Sequence, residues 1–182
     1  VIPHILVSEG ADQYDPAISP DGKWVAFAAN THDVKGDIYL MPLNGPPSAL
    51  KRITGRATSD RGPCFSADSK RLYFHQSKPG QNKRFISFVQ CKEAVKQVKT
   101  LKLDIDAAFP ALSPDKKDLA FVSAKKDGES NIYMTSLQNM EPVRLSSGHE
   151  DSFPAWSPDS KYLYFTRKQA ENTSNAASSA IY

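Results

Sequence analysis

Apolar and polar side chains alternate in four short segments of this chain. The segments occupy residues 24–27, 71–74, 118–121 and 162–165 and read WVAF, RLYF, DLAF and YLYF, with apolar residues always in the second and fourth places. Alternation with a period of two is typical of a β-strand that packs on one face. The pattern therefore predicts four equivalent strands.

A hairpin turn is predicted before each of these strands. The turn sequences SPDGK, SADSK, SPDKK and SPDSK begin at Ser19, Ser66, Ser113 and Ser157. Proline presets the backbone at the first corner of a turn, and an aspartate side chain accepts hydrogen bonds from the amides that follow it. The turn aspartates are therefore interpreted as structural residues; they are Asp21, Asp68, Asp115 and Asp159.

The whole unit repeats four times, each copy opening on a proline that begins a short apolar strand. These prolines are Pro16, Pro63, Pro110 and Pro154, spaced by 47, 47 and 44 residues. A third and a fourth strand pattern complete each of the first three copies, and a third strand pattern ends the last one. A four-stranded propeller blade takes roughly 40 to 45 residues. We therefore predict an all-β protein, a β-propeller of four four-stranded antiparallel blades.

The predicted blades divide a single domain, residues 1–182, into segments 14–54, 61–104, 108–146 and 152–182. The last blade lacks an outer strand, and residues 4–8 supply one ahead of the first blade. Pairing of this N-terminal strand with the last blade would close the ring and remove an exposed sheet edge. The alternative is a partial arc of a larger propeller with six to eight blades.

Composition and charge narrow the range of partners. Apolar residues make up 40% of the chain, the formal net charge is +3, and no stretch reaches the roughly 18 apolar residues of a membrane-spanning helix. Residues 78–102 carry seven cations against one acid. These cations are expected to prevent an outer sheet edge from pairing with other strands or, alternatively, to form a docking face. A nucleic-acid interface would need a broader positive surface, so no nucleic-acid partner is expected.

Of the two cysteines, Cys64 falls in the first strand of the predicted second blade and Cys91 just after its third strand, with one strand between them. Strands lie about 4.8 Å apart, which places the two Cα atoms near 10 Å, beyond the roughly 7 Å limit for a disulfide. We therefore expect two free thiols.

The repeated phrase resembles the TolB-like β-propeller repeat over nearly the whole chain. The likeness rests on the Pro-x-apolar-Ser-Pro-Asp-Gly-Lys pattern, the Asp-Ile-Tyr of residues 37–39 and the Arg-Ile-Thr of residues 52–54. Proteins with this repeat include periplasmic TolB, which binds partner proteins, and the propellers of prolyl-oligopeptidase-type enzymes. The resemblance implies a propeller in the periplasm, the cell envelope or the extracellular space. TolB itself has six blades and a further domain, so its particular partners do not carry over.

Acidic residues precede the first strand of every predicted blade. The four chosen as candidate partner-binding residues are Asp12, Asp60, Asp106 and Asp151. First strands line the channel of a propeller, so these carboxylates would form a ring at its mouth. Such a ring would hold calcium or attract a basic segment of a protein partner. In the alternative interpretation each aspartate only bonds neighbouring backbone amides.

Signs of catalysis are lacking in the sequence. It contains no Gly-x-Ser-x-Gly elbow, no His-Glu-x-x-His motif and no phosphate-binding glycine loop. The histidines, His4, His32, His75 and His149, occupy unrelated places in their repeats and are expected at exposed loops or strand ends. We therefore expect a monomeric, non-catalytic protein-binding scaffold without a cofactor. The alternatives are a propeller accessory to a prolyl-oligopeptidase-like or polysaccharide-lyase-like enzyme, or a fragment of a larger propeller.

Overall fold

The computed structural model describes residues 12–31, 35–55, 58–91, 97–125, 128–147, 150–168 and 179–181. These residues form β-strands, connecting turns and one 3-10 turn at Pro47–Ala49. The predicted all-β architecture is confirmed. No helix in the described ranges is long and apolar enough to span a membrane.

The described residues contain fifteen strands, which follow the fourfold repeat of the sequence. Blade 1 contains β1 (Gln13–Ile18), β2 (Trp24–Ala29), β3 (Asp37–Pro42) and β4 (Lys51–Arg52). Blade 2 contains β5 (Ser59–Phe65), β6 (Arg71–Ser77), β7 (Arg84–Gln90) and β8 (Lys99–Thr100). Blade 3 contains β9 (Ala108–Leu112), β10 (Asp118–Ala124), β11 (Ser130–Ser136) and β12 (Val143–Arg144). Blade 4 contains β13 (Glu150–Trp156), β14 (Leu163–Lys168) and β15 (Ser179–Ile181).

Within each blade, strands that are consecutive in the chain pair antiparallel, so every blade is a meander. Blades 3 and 4 are also joined by one parallel pairing, in which Ser130 of β11 lies opposite Glu150 of β13. Backbone bonds join the other blades at equivalent places. The Asp60 amide donates to the Gly36 carbonyl, and the Ala107 amide donates to the Arg84 carbonyl. Backbone hydrogen bonds therefore connect neighbouring blades near the places where their first strands begin.

The predicted hairpin turns are confirmed in all four blades by one repeated set of hydrogen bonds. In blade 1 the Ser19 hydroxyl donates to Asp21 over 2.6 Å, and Asp21 accepts the amide of Lys23. The Ser19 hydroxyl also accepts the Trp24 amide. The serine bond leads the interactions that lower the pKa of Asp21. Each turn aspartate is thus satisfied by its own turn, as Asx turns generally are.

Each first strand contains a bulge directly before its repeated proline. The residue before the proline has a positive φ in every blade: 53° at Asp15, 60° at Gly62, 48° at Phe109 and 51° at Phe153. The pairing register shifts at the same place. A bulge bends its strand and redirects a side chain, so the side chains of Asp15, Phe109 and Phe153 are redirected in the same way, while blade 2 has Gly62 at this place.

The core lies between successive blades. Ala26 and Leu40 of blade 1 pack in one cluster with Phe65, Leu72 and Phe74 of blade 2. The second strands of the first three blades are buried on both faces because each is sandwiched between other parts of the protein.

A second cluster fills the space between blades 2 and 3. Tyr73 and Ile86 of blade 2 pack with Leu119 and Phe121 of blade 3. Apolar surface buried in this way supplies the main stabilisation of such repeat interfaces.

The four blades form an arc in the described residues. First strands β1 and β5, β5 and β9, and β9 and β13 contact each other in turn, whereas no comparable contact joins β13 to β1. The predicted closing strand, residues 4–8, lies outside the described residues, as does Tyr182. The all-β blade architecture is therefore established, and closure of a four-bladed ring is not confirmed.

Blade 4 has an uncovered face. Tyr164 is 46% exposed, whereas the equivalent residues Ala26, Tyr73 and Ala120 are at most 3% exposed because the next blade covers them. Tyr162, at the start of the same strand pattern, is 61% exposed.

Both cysteines are free thiols. Cys64 is half-buried in β5, and Cys91 lies buried just after β7. Burial raises the pKa of the Cys91 thiol to about 12, so it stays protonated and unreactive at neutral pH.

Candidate functional site

Charged side chains gather at the end of the arc where the first strands begin. Second strands finish and third strands start at this same end, so side chains from three strands of each blade converge there. The four candidate aspartates, Asp12, Asp60, Asp106 and Asp151, lie at this end. Their partners differ from one blade to the next.

Asp106 joins blades 2 and 3. Its carboxylate accepts hydrogen bonds from Arg84 Nε over 3.1 Å and from Arg84 Nη2 over 2.6 Å. It also accepts the backbone amides of Arg84 and Ala124. Burial opposes ionisation of Asp106, but the bonds from Arg84 and the two amides outweigh it and lower its pKa. Four donors fill the acceptor sites of one carboxylate.

Asp151 is fully buried and forms a two-pronged ion pair within blade 4. Arg167 donates to it through Nε over 2.7 Å and through Nη2 over 2.9 Å. Paired nitrogens on a planar guanidinium match a carboxylate well. The pair ties the start of β13 to the end of β14.

Asp60 is also fully buried, and no cation among the described residues pairs with it. It accepts hydrogen bonds from the Gln76 amide over 2.9 Å and from the Thr58 hydroxyl over 3.2 Å. Burial raises the pKa of Asp60 despite these bonds. Asp60 therefore belongs to a polar network inside blade 2, together with Ser87, whose hydroxyl donates to Gln76.

Asp12 is the exposed member of the four. Its carboxylate accepts the Tyr14 hydroxyl and the Asn30 side-chain amide, both in blade 1. The structure therefore brings the four aspartates to one end of the arc but not into one cluster. Within the described ranges, no three His, Cys, Asp or Glu side chains are close enough to share a metal ion. Binding of calcium or a partner by these aspartates stays a prediction.

A second interblade pair joins blades 1 and 2 and was not anticipated from the sequence. Asp15 accepts Arg61 Nε over 3.2 Å and the Gly62 amide over 3.0 Å. The Arg61 guanidinium also lies 3.9 Å from the centre of the Tyr14 ring, a cation–π contact. With a positive φ at Asp15, its carboxylate points toward the next blade. No local sequence pattern predicts this orientation.

His75 forms an aromatic row with two phenylalanines. Its ring lies 4.7 Å from the ring of Phe109, which in turn lies 5.1 Å from Phe153. The Phe109 amide donates to His75 Nδ1 over 3.3 Å. Gly62 completes the row, because a Cβ there would lie 3.1 Å from both His75 and Phe109.

The expectation of an exposed His75 is wrong. The side chain is 5% exposed, and burial, followed by the nearby charges of Arg84 and Arg61, lowers its pKa to about 3. His75 is thus a neutral packing residue with Nδ1 as hydrogen-bond acceptor. The other three histidines lie outside the described residues.

A cleft of about 360 Å³ opens between blades 2 and 3 at the charged end. Its described lining includes the cations Lys83, Arg84 and Lys125 and the carboxylate of Asp106, which pairs with Arg84. The remaining polar lining comes from Ser77, Gln81 and Asn82. From the sequence, Lys83 and Arg84 were recognised only as members of a basic stretch. Their proximity to Lys125 could not be predicted, because Lys125 belongs to the next blade.

Comparison with known proteins identifies relatives among peptidases. No protein-family model matches the chain. Probable dipeptidyl-peptidase 5 of Emericella nidulans is 28% identical over 160 residues, which cover 76% of this chain and 21% of that protein. Dipeptidyl-peptidase 5 of Aspergillus oryzae is 37% identical over 84 residues, covering 37% of this chain and 11% of that protein. The chain spans at most about a fifth of the length of these relatives.

Solved structures show the same blade arrangement. TolB from Acinetobacter baumannii superposes with a TM-score of 0.74 at 26% identity, covering 97% of this chain and 42% of that one. The β-propeller domain of the Trilobed protease from Pyrococcus furiosus superposes with a TM-score of 0.64 at 17% identity. That match covers 96% of this chain and 54% of that domain.

These findings correct the main functional expectation. A non-catalytic protein-binding scaffold is contradicted by relatives that are named peptidases. They favour the alternative of a propeller that accompanies an enzyme. The expectation of a TolB-like β-propeller fold is supported by both solved structures. The chain therefore has a TolB-like β-propeller fold.

Proposed function

We propose that this chain forms four consecutive blades in the propeller of a longer peptidase. The observation that carries the proposal is the similarity to dipeptidyl-peptidase 5, which extends over three quarters of this chain. The fraction of that relative covered is about a fifth, so the remaining four fifths would supply further blades and the hydrolytic centre.

The uncovered face of blade 4 supports further blades. Tyr164 occupies a strand position whose counterparts in the first three blades are at most 3% exposed, and Tyr162, directly before the same strand, is 61% exposed. A repeat protein stacks each unit on the next, and its terminal units need a polar outer face for solubility. Two exposed tyrosines are suited to contact with another blade.

The role proposed for this segment is binding and admission of peptides rather than bond cleavage. His75, the one histidine in the described ranges, accepts a backbone amide through Nδ1 and is buried. It is therefore not placed to activate a serine, which requires a base within hydrogen-bond reach of the nucleophile. We also propose an extracytoplasmic location, since the repeat resembles that of periplasmic TolB.

The enzymatic part is tested with the full gene product. A purified full-length protein should release dipeptides from chromogenic peptide substrates, whereas residues 1–182 alone should release none. A full-length protein with an intact propeller and no hydrolytic activity toward any peptide would overturn the proposal.

The arc is tested with the isolated chain. Sedimentation velocity should show concentration-dependent association through the uncovered face, and a Tyr162→Glu/Tyr164→Glu variant should shift the population to monomer without lowering Tm. Tyr73→Glu is the matched control, because Tyr73 is 3% exposed and its charge would unfold the protein. A wild-type chain that stays monomeric at all concentrations would indicate a closed ring instead.

A further inference from the structure

The cleft between blades 2 and 3 is not a consequence of the open ends of the arc. Blade 2 contacts blade 1 on one side and blade 3 contacts blade 4 on the other, so both blades have their usual neighbours. Its volume, about 360 Å³, lies within the range of small-ligand sites in proteins. The cleft is thus a feature of the interblade surface itself.

Arg84 is held rigidly with one edge pointing away from its partner. Nε and Nη2 bind Asp106, and the Arg84 side chain is 26% exposed. The structure records no hydrogen bond from Nη1 to any described residue. Asp106 is itself saturated by four donors, so it offers no acceptor to an incoming cation. A guanidinium fixed in this way is pre-organised for an anion.

Further positive charge surrounds Arg84. Lys83 Nζ lies 3.4 Å from Asp104, whose side chain is fully exposed, so this ion pair is easily exchanged. Lys125 Nζ, paired with Glu129 over 2.8 Å, is half-exposed on the opposite wall. Cationic donors from both blades therefore line the cleft.

Neutral donors complete the lining. Ser77, Gln81 and Asn82 line the cleft, and the structure records no side-chain hydrogen bond from any of them to a described residue. Unpaired amides and hydroxyls next to a rigid guanidinium suit a ligand with a carboxylate and adjoining peptide groups. The volume accommodates about one or two residues of a peptide.

We propose that this cleft binds the C-terminal carboxylate of a peptide, with Arg84 and Lys83 as its anchors. The identity of the ligand as a peptide rests on the proposed function, whereas the carboxylate site rests on the cleft alone. Arg84 Nη1 and Lys83 Nζ donate to the carboxylate, and the neutral side chains contact the last peptide group.

The test is calorimetric titration of the full chain with matched probes at low ionic strength. The probes are acetyl-trialanine with a free carboxylate, its C-terminal amide, acetyl-Ala-Glu-Ala amide, and sodium acetate. The free acid should bind at least about tenfold more tightly than either amide, because the charge-assisted bonds to its C-terminal carboxylate are lost there. It should bind more tightly than acetate by a similar factor, because acetate lacks the adjoining peptide groups.

Variants locate the site. Lys83→Gln should weaken binding of the free acid about three- to tenfold at unchanged Tm. Lys117→Gln is the matched control, because Lys117 carries the same charge next to an aspartate in the turn at the other end of blade 3. Arg84→Lys should abolish binding of the free acid. Tm is measured in parallel, to separate the loss of binding from destabilisation through loss of the Asp106 pair.

Each contrary result is distinct. Equal affinity for the free acid and the amide, or equal effects of the Lys83 and Lys117 variants, overturns the carboxylate site. The proposed function is tested separately, because it stands if the full-length protein hydrolyses peptides. Equal affinity for acetate and the peptide acid overturns the peptide as occupant. A preference for the glutamate probe would assign the cleft to an acidic side chain and overturn the C-terminal assignment.

Discussion

The carboxylate of Asp106 in blade 3 holds the guanidinium of Arg84 in blade 2 through two side-chain hydrogen bonds of 2.6 and 3.1 Å. The same carboxylate accepts the amides of Arg84 and Ala124. One side chain therefore links the start of a third strand to the end of a second strand in the neighbouring blade. Asp15 plays the corresponding part between blades 1 and 2 through Arg61 and Gly62.

Asp106→Asn should destabilise the protein by about 2–3 kcal/mol at pH 7, because it leaves a largely buried Arg84 without its counter-charge. The pKa of Asp106 is lowered in the folded state. The ionised carboxylate therefore contributes stability above its unfolded pKa, and that contribution is lost as pH falls through the folded pKa. Urea unfolding at pH 7 and pH 3 should show a smaller difference between variant and wild type at the lower pH.

Asp60→Asn is the contrasting substitution in the neighbouring blade. Asp60 is buried, its pKa is raised by burial, and its partners Gln76 and Thr58 are uncharged. An amide at this position keeps an acceptor for Gln76 and removes a desolvated charge, so stability at pH 7 should be unchanged or higher. Equal destabilisation by both substitutions would contradict this division between paired and unpaired aspartates.

His75 gives the protein a pH dependence in mildly acidic solution. Its pKa is lowered to about 3 in the folded state, so below the ordinary value of 6.5 the unfolded chain binds a proton that the folded chain does not. Stability should therefore fall as pH decreases from 6.5 toward 3, by at most about 5 kcal/mol in total. Chemical unfolding between pH 7 and pH 4.5 measures the slope.

His75→Asn tests the origin of that slope. Asparagine Oδ1 can take the place of Nδ1 as acceptor for the Phe109 amide, whereas it does not titrate. The variant should lose part of its stability at pH 7 because the ring contact with Phe109 is gone. Its stability should then change little between pH 6.5 and 4.5; an unchanged slope would assign the effect to other groups.

The features that could be predicted from the sequence are those whose partners lie within one repeat. Ser19 and Asp21 meet inside a single turn, so local residue types suffice to predict the hairpin. Arg84 and Asp106 are 22 residues apart on different blades, and their contact depends on how one blade sits on the next. The bulge at Phe109 could not be predicted either. Its φ is positive, but among the four equivalent residues only Gly62 is of a type that favours a positive φ.

Lys116→Gly should stabilise the protein by about 0.5–1 kcal/mol. Lys116 has a φ of 68° in the turn of blade 3, where blade 1 has Gly22 with the same φ. Glycine adopts this left-handed conformation without the steric cost that a Cβ imposes. The measurement is Tm by calorimetry or circular dichroism.

Ser69→Gly is the control for that substitution at the equivalent place in blade 2. Ser69 also has a positive φ, but its hydroxyl accepts the Asp21 amide of blade 1 over 3.1 Å. Relief of strain and loss of an interblade hydrogen bond should nearly cancel, leaving a smaller gain than that of Lys116→Gly. A larger gain from Ser69→Gly would show that the serine bond contributes nothing.

Asn131→Asp should restore a network that blade 1 has and blade 3 lacks. In blade 1, buried Asp37 accepts hydrogen bonds from Arg52 and Thr54. Asn131 occupies the equivalent position in blade 3, and its Oδ1 is buried without a hydrogen-bond partner in the described structure. Its prospective partners are in place, because Arg144 pairs with β11 as Arg52 pairs with β3.

The expected gain for Asn131→Asp is about 1 kcal/mol at pH 7, since an unsatisfied acceptor becomes an ion-paired one. The pairing favours the charged carboxylate, so the gain should disappear as pH falls below about 4. Arg144→Gln should cost more stability in the Asn131→Asp background than in wild type, and a double-mutant cycle measures that coupling. Destabilisation by Asn131→Asp at pH 7, or zero coupling, would show that Arg144 does not reach the buried site and that the two blades differ in more than one side chain.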